Sequence, residues 1–279
     1  MSSRLRFAHE HLINNEKRTC LGVTQTSRVG WLPQEIVDYI VGKVSHRRRT
    51  LIACTQVSRT WWIAARAHLY RTFTVSDPAG FEADINELKN MGITNLVRRV
   101  VVRWAYDNGE FIFGTPELTP LKAITHIQEL DLRRLDINEL VLTLRHEHFD
   151  TLKSTVRTLV LSRPTSSTKH ILWFISLFSH LEDLSVLGLD MLDNDDTQVP
   201  AIESPPSLTG RLVLKSITHQ SEFIHGLASM QNGFRTVELQ SCKEVRGIIE
   251  SCAETVERLI WQSDSPLGVY NLISSDCVP

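Results

Sequence analysis

The chain has 279 residues, 42% of them hydrophobic and 22% charged, with a formal net charge of −2. That is enough apolar material for a substantial core in one extended or two compact domains, and too balanced a charge to give an electrostatic footprint for nucleic acid or an anionic membrane. The opening MSSRLRFAHEHLINNEKRTC has no apolar run of secretory-signal length, and the longest apolar stretch, Ile171–Ile175 with Leu177 and Phe178, is far short of a membrane span. Cys20, Cys54, Cys242, Cys252 and Cys277 are scattered, form no CxxC pair and match no zinc spacing, and Cys277 stands third rather than fourth from the C-terminus, which argues against prenylation. The expectation is a reduced intracellular protein, cytoplasmic or nuclear, without cofactor, metal, nucleic-acid or membrane partner.

In chain order, residues 1–30 are rich in charge, lack sustained periodicity and are expected to form a mobile segment. Residues 31–70 then read as a small helical module. Pro33 follows Leu32 at a helix start, where its missing N–H costs nothing. Ile36, Ile40 and Val44 recur at i, i+4 and i+8 with Val37 and Val41 beside them, giving one broad apolar face. After the polar loop 45–50, with its basic run Arg47-Arg48-Arg49 read as a solvated connection, a second apolar series runs Leu51, Cys54, Val57, Trp61. A segment this small needs the rest of the chain or a partner to bury its faces.

The run Leu32-Pro33-x-Glu35-Ile36, then Ile40, Leu51, Cys54, Val57-Ser58-Arg59-Thr60-Trp61 and a close on Leu69-Tyr70 resembles an F-box. Ser58 stands where many members of that family carry Cys, a departure that leaves the apolar anchors untouched. The resemblance covers about a seventh of the chain. It implies docking on the Skp-type adaptor of a cullin–RING (SCF) ubiquitin ligase through Leu32, Pro33, Ile36, Ile40, Leu51, Cys54, Val57 and Trp61. The competing reading is a helical cap packed on the segments that follow; anchors turned inward would favour it, and exposed anchors would indicate an absent partner.

Past residue 70 an L-x-x-L-x-L pattern recurs. It falls on Tyr70-Phe73-Val75, Val97-Val100-Val102, Ile127-Leu130-Leu132, Val156-Leu159-Leu161, Leu181-Leu184-Val186, Phe234-Val237-Leu239 and Val256-Leu259-Trp261. Leu212-Leu214 makes an eighth instance, with Leu208 one residue early. The central positions lie 22 to 30 residues apart, close to the roughly 20–29 of leucine-rich repeats. Helices are predicted between them at Phe81–Met91, Asn138–Leu152, His170–Ser179, Gln220–Met230 and Glu244–Cys252. The expected fold is an α/β repeat: the all-α F-box-like module, then a degenerate leucine-rich-repeat solenoid over 71–265 with a parallel sheet on its concave side, then a tail over 266–279 in which Val269–Ile273 could cover the last repeat. The Asn or Cys expected after the strand occurs only as Cys242; elsewhere the slot holds Leu135, Pro164, Leu189 or Ile217. A fold of βαβ units is the alternative, though its buried strands favour continuous apolar runs over the alternation found here.

Alternation sends the residues between the template positions to the solvent side of that sheet. Candidate target-binding residues are Arg103, Asp131, Arg133, Val160, Ser185, Val213, Lys215, Glu238 and Ile260. The acidic stretch Asp190–Asp196 and the proline-rich 199–207 read as an inserted loop without the Gly and Glu of a calcium site, and His146 and His148, at i and i+2, diverge on a helix. No GxSxG, P-loop, HExxH or GxGxxG is present; an enzyme would have to bring a Ser or Cys within hydrogen-bond reach of a His. The resemblance therefore implies a non-catalytic receptor holding a target protein, with a leucine-rich scaffold that engages no ligase as the alternative.

Overall fold

The computed structural model describes residues 32–76, 80–103, 106–107, 110–111, 119–143, 146–191, 208–217, 221–230, 232–242, 245–262 and 269–273. The expectations for residues 1–30, for the stretch 192–207 and for most of the C-terminal tail lie outside these. The chain divides into two compact units between Thr72 and Phe73.

Among the described residues the first unit holds three helices: α1 (Gln34–Lys43), α2 (Arg48–Cys54) and α3 (Arg59–Leu69). Pro33 is the N-cap of α1, with φ −52° and ψ 146°, and its carbonyl accepts hydrogen bonds from the Ile36 and Val37 N–H groups at 3.0 and 3.2 Å. Proline thus pre-sets the chain for the first turn without forfeiting a donor. Ser58 caps α3, its Oγ accepting from the Trp61 N–H at 3.5 Å, and so has a local structural task. Val37, Val41, Leu51, Cys54, Ala64 and Ala65 form the core, with Val44, Trp61 and Leu69 packed against it half-buried. The face predicted from Ile36, Ile40 and Val44 is rotated: Val37 and Val41, one turn apart, turn inward and Ile36 turns out.

The second unit contains, in order, β1 (Thr72–Val75), α4 (Phe81–Asn90), β2 (Arg99–Arg103), the short β3 (Tyr106–Asp107) and β4 (Glu110–Phe111), β5 (Glu129–Arg133), α5 (Ile137–Thr143), α6 (His146–Thr155), β6 (Thr158–Ser162), β7 (Thr165–Ser166), α7 (Thr168–Ser176), β8 (Asp183–Leu187), β9 (Asp190–Met191), β10 (Leu208–Lys215), α8 (Ser221–Ala228), β11 (Asn232–Gln240), α9 (Arg246–Ser251), β12 (Arg258–Gln262) and β13 (Val269–Ile273). The helix predicted over Asn138–Leu152 is two helices, α5 and α6. The main sheet is open, with order β1-β2-β5-β6-β8-β10-β11-β12-β13. From β2 to β12 every neighbouring pair is parallel, while β13 returns antiparallel along β12. This is an α/β architecture in which strand order follows chain order, without the reversal that creates a doubly wound crevice.

Every template residue from Val97 to Leu239 is buried, at 1% exposure or less. At β12 the packing thins: Leu259 is half-buried and Trp261 is exposed. The turns repeat too. Arg134, Arg163, Gly188, Ser216 and Ser241, each immediately after a strand, have φ between 50° and 69°. In each case the N–H donates to the carbonyl of the last residue of the next strand, Ser162, Leu187, Lys215, Gln240 and Gln262, at 2.7 to 3.1 Å. Four of the five residues are not glycine, and the recurring bond offsets the αL cost. The slot residues Leu135, Leu189 and Ile217 are buried apolar groups, and the Cys242 thiol donates to the Leu214 and Gln240 carbonyls at 3.3 Å.

A small network pairs several buried polar atoms in this unit. Asn138 Oδ1 accepts from the Ser166 hydroxyl at 2.9 Å and from the Ser167 N–H at 3.0 Å. Ser167 is the N-cap of α7: its Oγ accepts from the His170 N–H at 3.4 Å and lies 2.7 Å from His170 Nδ1. Ser167→Ala should cost about 1–3 kcal/mol, the loss of a cap together with a buried hydrogen bond. Urea denaturation checks this, with Ser167→Thr expected to retain most of the stability; equal losses in both would place the effect elsewhere. Among the described residues no helix is long and apolar enough to cross a membrane.

Candidate functional site

In the helical unit, the eight residues expected to meet an adaptor divide into two sets. Leu32, Pro33, Ile36 and Val57 are exposed, Leu32 at 49%, Ile36 at 45% and Val57 at 63%, while Ile40 is half-buried. Leu51 and Cys54 are buried and Trp61 packs half-buried on the same core. This corrects the expectation for Leu51 and Cys54: among the described residues the helices build one small core, and those two side chains of α2 are turned into it. Two exposed apolar residues were missed, Tyr39 at 64% and Ile63 at 50%. Tyr39 was findable, since it stands at i+3 from Ile36 on one helical face; Lys43 Nζ lies 5.1 Å from its ring centroid. Large apolar groups left in water on a unit this small make a candidate interaction surface.

The second surface is the polar face of the sheet. Register places Val101, Asp131, Val160, Ser185, Val213, Glu238 and Ile260 in one row across it. The rows on either side hold Arg99, Glu129, Asp183, Arg211 and Arg258 toward the strand starts, and Arg103, Arg133, Leu187 and Lys215 toward the strand ends. The sequence assigned the middle row to solvent. Val101, Asp131, Val213 and Glu238 are instead buried, Asp131 completely. The parity of the strand is as expected, but long cationic side chains from the flanking rows cover the shorter residues between them.

On this face each of the two buried carboxylates, Asp131 and Glu238, holds two cations. Asp131 accepts from Arg99 at 2.9 Å and from Arg133 through Nε at 2.8 Å and Nη2 at 2.6 Å, and Arg99 also pairs with Glu129 at 2.9 Å. Glu238 pairs with Arg211 and, at 2.7 Å, with Lys215. Burial by itself would raise the Asp131 carboxyl; the hydrogen bonds from Arg133 and Arg99 outweigh it and hold the group below its ordinary range. The Lys215 hydrogen bond does the same for Glu238 against the effect of burial, with Arg211 adding to it.

Because the folded value is depressed, this stabilisation is complete above the unfolded carboxylate range, about 4, and is lost as pH falls through the folded value. Arg133→Met leaves Asp131 with one cation fewer. Allowing for the partial exposure of Arg133, the expected cost at neutral pH is about 1–2 kcal/mol, with acid unfolding beginning at a higher pH than in the wild type. Adding Asp131→Asn to Arg133→Met should restore part of the loss. Urea midpoints between about pH 3 and 7 test this, and pH-independent differences would contradict it.

Ser167 and His170 meet the distance criterion set for nucleophile chemistry. They are three residues apart at a helix start, both buried, and the Ser167 oxygen is occupied by the backbone N–H of His170 itself. Capping accounts for this contact. No protein-family model and no curated protein matches the chain.

Proposed function

We propose that the protein is a non-catalytic substrate receptor of an SCF-type cullin–RING ubiquitin ligase. The helical unit docks on a Skp-type adaptor, which bridges to the cullin, and the strand–helix array is a degenerate leucine-rich-repeat solenoid that holds a target protein. The observation carrying this is the exposure of Leu32, Pro33, Ile36 and Val57 in a unit that already has its own core, at positions the F-box resemblance gives to the adaptor. Sequential strand order and the five equivalent turns support the repeat reading. The receptor's part is positional: tethering raises the effective concentration of target lysines near the ubiquitin donor. Titration of the full chain with a purified Skp-type adaptor tests the proposal. Saturable binding is expected; a folded chain that binds no adaptor would leave a scaffold without a ligase.

A further inference from the structure

We infer that the strand-end rim of the sheet is a docking surface for an extended, Asp- and Glu-rich segment of a partner protein. This deepens the receptor reading by naming the class of target, but its test involves no adaptor, so each can fail without the other. The ends of β2, β5, β6 and β10 and the turns after them carry Arg103, Arg133, Arg134, Arg163 and Lys215, and the equivalent positions on β8, β11 and β12 are the uncharged Leu187, Gln240 and Gln262. This is a concentration of positive charge on a chain whose net charge is −2. Arg103, Arg134 and Arg163 are exposed. Asp131 and Glu238 lie in the row beneath, buried, each already engaged by two cations.

The geometry selects the ligand. Arg134 and Arg163 sit at φ 55° and 50° with their N–H groups bonded to the next strand, so the rim positions are fixed by backbone. Neighbouring strands lie about 4.8 Å apart, which puts the rim from β2 to β10 at about 19 Å, the reach of about six extended residues. Cations strung over three successive strands, β2, β5 and β6, with Lys215 two strands further on, suit a line of single carboxylates; a phosphoryl group would call for several guanidiniums converging on one point.

The test is fluorescence anisotropy with the full chain and a labelled peptide of about twelve residues alternating Glu and Ser, its Gln counterpart, and a single-stranded oligonucleotide. Binding of the Glu peptide that weakens between about 50 and 300 mM salt is expected, with the Gln peptide at least tenfold weaker. Arg103→Gln/Arg134→Asn/Arg163→Asn, which uses Asn where αL must be kept, should lower affinity by about tenfold or more. A folded chain that ignores the Glu peptide, an unchanged affinity in the triple variant, equal binding of the Gln peptide, or tighter binding of the oligonucleotide would each overturn the inference.

Discussion

Leu32→Ala/Ile36→Ala/Val57→Ala should weaken adaptor binding about a hundredfold or more while leaving the unfolding transition of the protein where it is. All three side chains are about half exposed or more in the free chain, so a partner has that remainder to bury. Full burial of such a side chain contributes about 1.5–3 kcal/mol, and roughly half of that from each of three sites sums to the hundredfold expected. The same exposure explains why stability is spared: little packing is lost, and alanine at position 36 is a better helix former than isoleucine. Pro33 is kept because its carbonyl and φ start α1. Leu51→Ala is the contrasting control. Leu51 is buried in the small core, so its truncation should cost about 2–5 kcal/mol and reduce binding only by unfolding the unit. Calorimetric titration with thermal unfolding separates the two; full affinity in the folded triple variant would remove the docking surface.

Much of the sheet was legible because its signal is periodic and redundant. Each instance of the template supplies three apolar residues at fixed spacing, and burying that face leaves one register available. The turns were not legible in the same way. The expected Asn or Cys is missing from most of them, and the device that replaces it is backbone: an αL residue whose N–H reaches the next strand. Nothing marks Arg134 or Arg163 as αL in a sequence, since Gly, Asn and Asp are the usual occupants. The polar face was read correctly for parity and wrongly for exposure. Alternation fixes which side a residue takes; whether Asp131 meets water depends on Arg99, which is 32 positions distant in sequence and one strand away. In the helical unit, spacing located the apolar faces but left their rotation open by one residue, which is why Val37 and Val41 rather than Ile36 and Val44 lead the core.

The one irregular instance of the template points to the position where a single methyl group should do most harm. Leu208 stands one residue early, and close by, at Gly210, the β10–β11 register slips and Arg235 has no opposite residue. Gly210 has φ +82°, and a Cβ there would lie 2.6 Å from the Glu182 carbonyl oxygen and 3.1 Å from its carbon. Those are backbone atoms of the adjoining segment and cannot swing aside. Relief would require β10 to draw back from β8, breaking the Arg211 N–H bonds to the Glu182 carbonyl and to Asp183 Oδ1, both 3.1 Å. Gly210→Ala combines αL strain of about 1–2 kcal/mol with one or two lost hydrogen bonds, so about 3 kcal/mol or more is expected. Gly92→Ala isolates the first contribution: its φ is +61° and nothing lies within 4 Å of the added carbon, so only about 1–2 kcal/mol should be lost. Because Arg211 and Lys215 hold Glu238 from the same strand, the displaced β10 should also blunt the salt-sensitive binding of the acidic peptide, which Gly92→Ala leaves intact. Equal urea midpoints for the two alanine variants would show that the close approach at Gly210 imposes no constraint.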